Sequence, residues 1–372
     1  MRFILLFICA LVFSDANSQN TWTETGGPFG GYIESLKRTS SGTLYTVINQ
    51  RLFSSTNSGD TWASVATTSP STLYLADLMV DINGMHYAVY YSQLYASSDG
   101  LQWDIVSSNQ FQGGSRIMAV GPDNVFVVWG YNGVYTSIDQ GINWTQISSE
   151  GWTGEPGLWA NSSGDIFYAT QGGKLLRHTY QGLTANWSSA NLIELPDFTT
   201  KAAGQNIATM TIDNTGQLYV ATFADVFKST NNGDTFSSIS PGLNTAGLSG
   251  YFEGRMSTSP DNAIYYFAHN NNLYKSINQG TSWTSSPGPS IDYGSRVNRI
   301  AFASASTFFV GTQGDGVFRT TDTGVNWAFK SNGLTGGNSF GIVVANTTNK
   351  IFVVKGSKSY WSSTNNGATW SI

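Results

Sequence analysis

Short apolar runs that alternate with polar residues recur along the whole chain. Gly133-Val-Tyr-Thr-Ser137, Asp165-Ile-Phe-Tyr-Ala-Thr170 and Gln217-Leu-Tyr-Val-Ala-Thr222 are representative. A period of two places successive side chains on opposite faces of an extended chain, so the pattern predicts strands and no convincing helix. Between the runs stand Ser41-Gly42, Asn83-Gly84, Asp123-Asn124, Ser163-Gly164, Thr215-Gly216 and Asp261-Asn262. These pairs favour tight turns and mark hairpins.

A second element repeats with a longer period, Ser-x-Asp/Asn-x-Gly-x-x-Trp. It reads Ser55-Thr-Asn57-Ser-Gly59-Asp-Thr-Trp62 and Ser137-Ile-Asp139-Gln-Gly141-Ile-Asn-Trp144, with further copies ending at Phe236, Trp283, Trp327 and Trp370. The copy ending at Trp103 is one residue short, and the one around Gly182 to Trp187 keeps little more than its indole. The closing aromatics at 62, 103, 144, 187, 236, 283, 327 and 370 are 41, 41, 43, 49, 47, 44 and 43 residues apart. Nine residues upstream stands a second aromatic at Phe53, Tyr135, Phe227, Tyr274, Phe318 and Trp361, and Tyr95 matches once the deletion is allowed. In each box the Ser hydroxyl and the Asp or Asn oxygen can accept backbone N–H groups, Gly takes a positive φ, and the aromatic ring folds back over the hairpin.

Each unit then holds four strands, A to D, with the box between C and D. Small sheets of this kind bury both faces only by stacking on their neighbours, and a ring of radially packed sheets does so. The reading is therefore all-β, a single β-propeller of eight four-stranded blades, with seven as the alternative. The alternative arises because Thr21-Trp-Thr-Glu-Thr25 resembles a stray D strand that could pair with the last repeat and close the ring.

The repeat resembles the Asp box, or BNR repeat, of sialidases, of the sortilin-type propeller, of xyloglucanases built from two propellers, and of photosystem II assembly factors. The resemblance covers nearly the whole chain after residue 18 and implies the propeller fold. In those families the box lies away from the ligand-binding mouth, so it implies an architectural role for the box residues. A sialidase resemblance would need an Arg-Ile-Pro-like segment before the first box. Here Arg116-Ile117 follows that box and continues into Met118.

The leader MRFILLFICALVFSDANSQN sets Arg2 before an apolar run from Phe3 to Phe13, followed by small residues. This reads as a secretory signal over residues 1–18, with Ala16 and Ser18 before the cut, and 19–372 as one domain. The alternative cut, after Ala16, changes nothing else. Cys9, the only cysteine, lies inside that run, so the mature chain is expected to have neither disulfide nor lipid anchor. The expected address is extracellular, or periplasmic in a bacterium, and membrane insertion is not expected.

Composition narrows the partners. Charged residues make up 11% of the chain, the net charge is −5, and Gly accounts for 41 of 372 residues. An acidic chain with few cations lacks the clustered Lys and Arg that nucleic acid binding requires. His86, His178 and His269 lie in separate repeats, and neither a metal nor a cofactor is expected. Four Asn-x-Ser/Thr sequons, at Asn143, Asn161, Asn186 and Asn346, are no more than so Ser- and Thr-rich a chain would carry by chance.

If strand A is innermost, the D-to-A and B-to-C connections share one face, where the segments 188–205, 237–250 and 284–295 are long. Trp129, Trp152 and Trp159 are not accounted for by the repeat and map to this face, with Tyr131 beside Trp129. Flat rings there suit stacking on sugars or anchoring a protein, while the plain alternative is that they plug gaps between blades. Glu155, Glu253, Asp292 and Asp315 map to the same face, near Arg255, Arg296 and Arg299. The expected ligand residues are Trp129, Tyr131, Trp152, Trp159, Arg255 and Arg296, serving a glycan or a protein. The competing reading is a glycoside hydrolase, for which Glu253, Asp292 and Asp315 are the candidate carboxylates.

Overall fold

The computed structural model describes residues 33–363, apart from 66–75, 113–115, 151–157, 184–186, 244–254, 292–295, 331–338, 346–349, 356–358 and other single or paired positions. Over 339–363 it describes the strands alone.

Seven antiparallel four-stranded sheets follow one another, each a contiguous stretch of chain. The first is β1 (Ile33–Arg38), β2 (Leu44–Ile48), β3 (Arg51–Ser55) and β4 (Ala63–Ser64). The second is β5 (Asp77–Val80), β6 (His86–Tyr90), β7 (Gln93–Ser97) and β8 (Asp104–Ser108). The third comprises β9 (Arg116–Val120), β10 (Val125–Gly130), β11 (Gly133–Ser137) and β12 (Thr145–Ser148). The fourth is β13 (Leu158–Ala160), β14 (Ile166–Ala169), β15 (Leu175–His178) and β16 (Leu192–Glu194), followed by a short helix α1 (Pro196–Ala202). The fifth runs through β17 (Ile207–Ile212), β18 (Leu218–Thr222), β19 (Val226–Ser229) and β20 (Ser237–Ser238). The sixth is β21 (Arg255–Thr258), β22 (Ile264–Phe267), β23 (Asn272–Ser276) and β24 (Thr284–Pro287). The seventh is β25 (Val297–Phe302), β26 (Phe308–Thr312), β27 (Val317–Thr320) and β28 (Ala328–Phe329). The first strand of each blade is innermost, and β1 lies directly beside β5 on one side and β25 on the other.

That last contact settles the number of blades at seven and corrects the expectation of eight. Ile33, Leu36, Leu44, Phe53 and Trp62 of the first blade form one dry cluster with Ala301, Phe309 and Val317 of the seventh. Trp62 Nε1 donates to the Lys330 carbonyl at 2.7 Å across the same seam. The Arg319 guanidinium donates to the Ser58 carbonyl at 3.1 Å, and Lys330 pairs with Asp60. No room remains for a sheet between these two blades. The eighth repeat forms β29 (Ser339–Ala345), β30 (Lys350–Lys355) and β31 (Ser359–Ser363), which among the described residues make a three-stranded sheet of their own. Trp22 and Trp370 lie outside the described residues. Spacing counts modules, whereas closure depends on how far each wedge turns the next sheet, and that angle is not written in the period.

The box works between blades as well as within one. In the third blade the Gly141 N–H donates to Ser137 Oγ at 2.8 Å, and the Asn143 N–H to Asp139 Oδ1 at 2.8 Å. The same pair of bonds recurs from Gly324 and Asn326 to Thr320 and Asp322. The Asn326 N–H and side-chain amide, with the Thr320 hydroxyl, hold the Asp322 carboxyl down to about 2. Each closing aromatic packs against the preceding blade. Trp103 joins Val47 and Leu52, Phe236 joins Phe167 and Leu175, and Trp283 joins Tyr219 and Val226. Some indoles also bond their own turn, as Trp103 Nε1 does to the Gly100 carbonyl at 3.0 Å. Glycine is required twice over at position 141, where φ is +89° and an added Cβ would stand 2.1 Å from Leu94 Cδ2 of the second blade.

The fourth and fifth blades depart from the pattern, and α1 replaces the expectation of no helices. Phe198 of α1 packs edge-on to Phe227 and Phe236, at 5.6 and 5.1 Å between ring centres. Asp197 accepts the Phe236 N–H at 2.6 Å. The helix supplies a second ring where the box carries Phe instead of the larger Trp. The segment 188–205 is therefore mostly β16 and α1, and not a long surface loop.

Two outcomes are expected. Gly141→Ala and Gly84→Ala share the left-handed strain of about 1–2 kcal/mol, but nothing lies within 4 Å of a Cβ at Gly84. In urea titrations Gly141→Ala should therefore lose a further ~1–3 kcal/mol, and equal losses would refute the inter-blade clash. A chain ending at Lys330 should keep a single cooperative thermal transition and its sheet circular dichroism. Loss of that transition would mean that the eighth repeat completes the ring.

Candidate functional site

In an antiparallel blade the A-to-B turns lie at the end opposite the B-to-C connections, so the ring has two distinct faces. On the A-to-B face, side chains cap the turns. Asp81 Oδ1 accepts the Asn83 and Met85 N–H groups at 2.8 and 2.9 Å, and Asp213 Oδ1 accepts those of Thr215 and Gln217, both at 2.9 Å. The remaining polar atoms reach the neighbouring blade. Asn124 Nδ2 donates to Asp81 Oδ2 at 3.2 Å, the Tyr180 hydroxyl to Asp123 at 2.5 Å and Asn232 Nδ2 to Asp165 at 2.7 Å. Asn214 Nδ2 donates to the Pro260 carbonyl at 2.9 Å. These turns are occupied with joining blades, which leaves the opposite face as the candidate site.

The structure separates the aromatic residues proposed for that face. Trp129, on β10, is 2% exposed and sits in the cluster between the third and fourth blades with Val127, Leu158 and Trp187. It is a plug between blades. Trp159, on β13, is half-buried and packs against the core between the fourth and fifth blades. Tyr131, Trp152, Glu155, Glu253 and Asp292 lie outside the described residues.

The basic residues stand together in the fold. Arg255 opens β21, Arg296 directly precedes β25, and Arg299 is on β25, and the two strands are neighbours around the axis. Arg255 is 7% exposed, whereas Arg296 is half-buried. Arg296 Nε donates to Gln313 Oε1 at 2.5 Å, and the Gln313 N–H returns a bond to the Arg296 carbonyl at 3.0 Å. That exchange fixes the guanidinium at the strand end. Asp315 lies in the connection between β26 and β27, its N–H donating to Thr312 Oγ1 at 2.9 Å.

Two features of this face escaped the sequence reading. Asp77, the first residue of β5, is 2% exposed; it accepts the Ser35 hydroxyl at 2.8 Å and the Ile117 N–H at 3.3 Å, with Lys37 Nζ 3.8 Å away. It ties three innermost strands together. The second feature is the connection between β6 and β7. Tyr90 pairs with Gln93, leaving Tyr91 and Ser92 as the two connecting residues. Tyr91 has φ +52°, and its side chain is 59% exposed. A bulky residue in the left-handed region costs about 1–2 kcal/mol, and an exposed ring recovers little of that by burial. Tyr-Tyr-Ser-Gln contains none of the Gly or Asn that signals such a turn, so no residue type announces it.

The two described histidines are core residues. His178 stacks on Trp187 with ring centres 5.0 Å apart and bonds the Ser188 carbonyl through Nε2 at 2.9 Å. Burial lowers its pKa, as it does for His86. Among the described residues, no group of three His, Cys, Asp or Glu side chains comes together as a metal site, and no helix is long and apolar enough to cross a membrane.

No family model matches the sequence, and no curated protein matches it. Solved structures do resemble it. YCF48 bound to D1 peptide superimposes with a TM-score of 0.60 at 16% identity, covering 79% of this chain and 94% of that one. The GH74 xyloglucanase from Xanthomonas campestris gives 0.63 at 11% identity, covering 94% of this chain and 68% of that one. An ancestral GH74 enzyme gives 0.64 at 13% identity over 92% of this chain, which spans about half, 54%, of that enzyme. Likenesses at such identities show the fold, and the fold is that of a β-propeller.

Proposed function

We propose that this chain is a secreted, non-catalytic binding propeller that holds a protein or glycan ligand on the face carrying its B-to-C connections. The observation that carries this reading is the placement of Arg255, Arg296 and Arg299 at neighbouring innermost strands, with Arg296 braced by Gln313. A guanidinium presents a rigid fork of donors that matches a carboxylate, and bracing lowers the entropy lost on binding. The opposite face has its turn side chains committed to joining blades, which leaves it poorly placed for a ligand. A propeller of the same fold bound to a peptide, YCF48 with the D1 peptide, is consistent with this use of the scaffold. The leader supports the proposal of secretion, since its Arg2 and apolar run have the form of a cleaved signal.

The test takes the chain beginning at Gln19 and screens it against peptide and glycan arrays, with aryl glycosides alongside. A retained ligand bearing a carboxylate is expected. Arg296→Gln should weaken it about tenfold, the usual scale for one charge-assisted bond, with an unchanged melting temperature. Turnover of a glycoside that Asp315→Asn abolishes would overturn the reading in favour of a hydrolase.

A further inference from the structure

The Tyr91–Ser92 connection is strained at Tyr91 without an evident return to the fold. Ten non-glycine residues among those described have positive φ, five of them Asn; the rest are Ser, Thr or Gln, except Tyr91. Ser58, Gln140, Gln279 and Thr323 sit inside box turns, where the geometry is fixed by capping bonds. Tyr91 sits instead at the tip of a two-residue connection, where Gly or Asn would adopt the same φ at lower cost. Strain at an exposed position, kept by a residue that gains little from burial, points to a use for the side chain.

The geometry around the ring indicates what that use is. Tyr90 and Tyr91 meet edge to face, with centres 4.5 Å apart and planes at 88°. They form a corner in which one ring steadies the other. The groups bonded beside it are neutral. Ser92 Oγ lies 3.3 Å from Asn109 Oδ1, and the Asn109 N–H donates to the Ser92 carbonyl at 2.8 Å. Gln93 accepts the Tyr95 hydroxyl at 2.5 Å. An aromatic face flanked by hydroxyl and amide groups is complementary to a neutral pyranose, whose C–H face stacks on a ring while its hydroxyls exchange hydrogen bonds at the edge. A carboxylate ligand would be drawn instead to the sixth and seventh blades, where the arginines stand.

We infer that the Tyr90–Tyr91 corner of the second blade is a subsite for a neutral polysaccharide, with Tyr91 as its stacking platform and Ser92 and Asn109 as its polar edge. The inference rests on the reading of this face as the ligand surface and names one ligand class for it. Three variants test it by titration with cellohexaose and mannohexaose, with polygalacturonate and an acidic peptide as charged comparisons. Wild type should bind at least one neutral oligosaccharide. Tyr91→Phe should bind it within about twofold, since stacking needs only the ring. Tyr91→Asn relieves the backbone, so it should melt at the same temperature as wild type or higher while losing about tenfold or more in affinity for that oligosaccharide. Ile277→Ser, at an exposed box-turn residue on the opposite face, should leave this binding unchanged.

Tyr91→Asn that binds like wild type, or that melts early, would overturn the inference and make the ring a structural residue. Wild type that binds the acidic peptide but neither neutral oligosaccharide would also overturn it, and would leave the proposed binding face standing. Wild type that binds none of the four probes would remove this subsite along with the ligand surface.

Discussion

The fold depends on one repeated contact, an aromatic ring at the end of a hairpin pressed into the blade before it. A four-stranded sheet buried on both faces has no stable existence by itself, and here each blade seals the exposed face of its predecessor. The contact is close because a left-handed glycine lets the box turn approach. At Gly280 a Cβ would lie 2.4 Å from Ile239 Cδ1, and at Gly324 2.2 Å from Leu273 Cδ2. The interface is therefore set jointly by backbone conformation and ring volume, and neither can change alone. Where the ring is smaller, at Phe236, the chain inserts α1 and fills the gap with Phe198.

Much of this was legible in the residues. Spacing located seven of the closing positions used by the ring, and Gly-containing pairs marked the turns between inner strands. Other features were not legible, for identifiable reasons. The count of eight failed because a period describes a module and not the angle between modules. The angle emerges from side chains such as Ile33 and Phe309, which meet only when the ring closes. Trp129 was read either as a ligand platform or as a plug between blades, and the second holds because second strands of blades are buried on both faces, so an extra indole there is absorbed as core.

The site was less legible than the fold. Arg255, Arg296 and Arg299 were mapped to one face from their places in the repeat, and the structure sets them at neighbouring innermost strands. Tyr91 was passed over because a turn is recognised by residues that relax it, and this connection contains one that does not. Asp77 was overlooked for a related reason. A carboxylate opening a strand reads as surface, whereas here the first and third blades converge on it and supply donors.

Among the described residues, each of the seven blades is drawn from one unbroken stretch of chain, and no sheet borrows a strand from the far end of the sequence. The first and last blades thus meet along an oil-like seam bridged by an indole and an ion pair, as the two ends of a split washer meet. Among the described residues, a ring sealed in that way carries no covalent or sheet-wide lock at its join. Under tension applied at its ends it would part there first and then shed whole blades in turn. In evolution the same join allows a copied module to be added without recutting any existing sheet, and a further repeat after the seventh blade has the form such a duplication would leave.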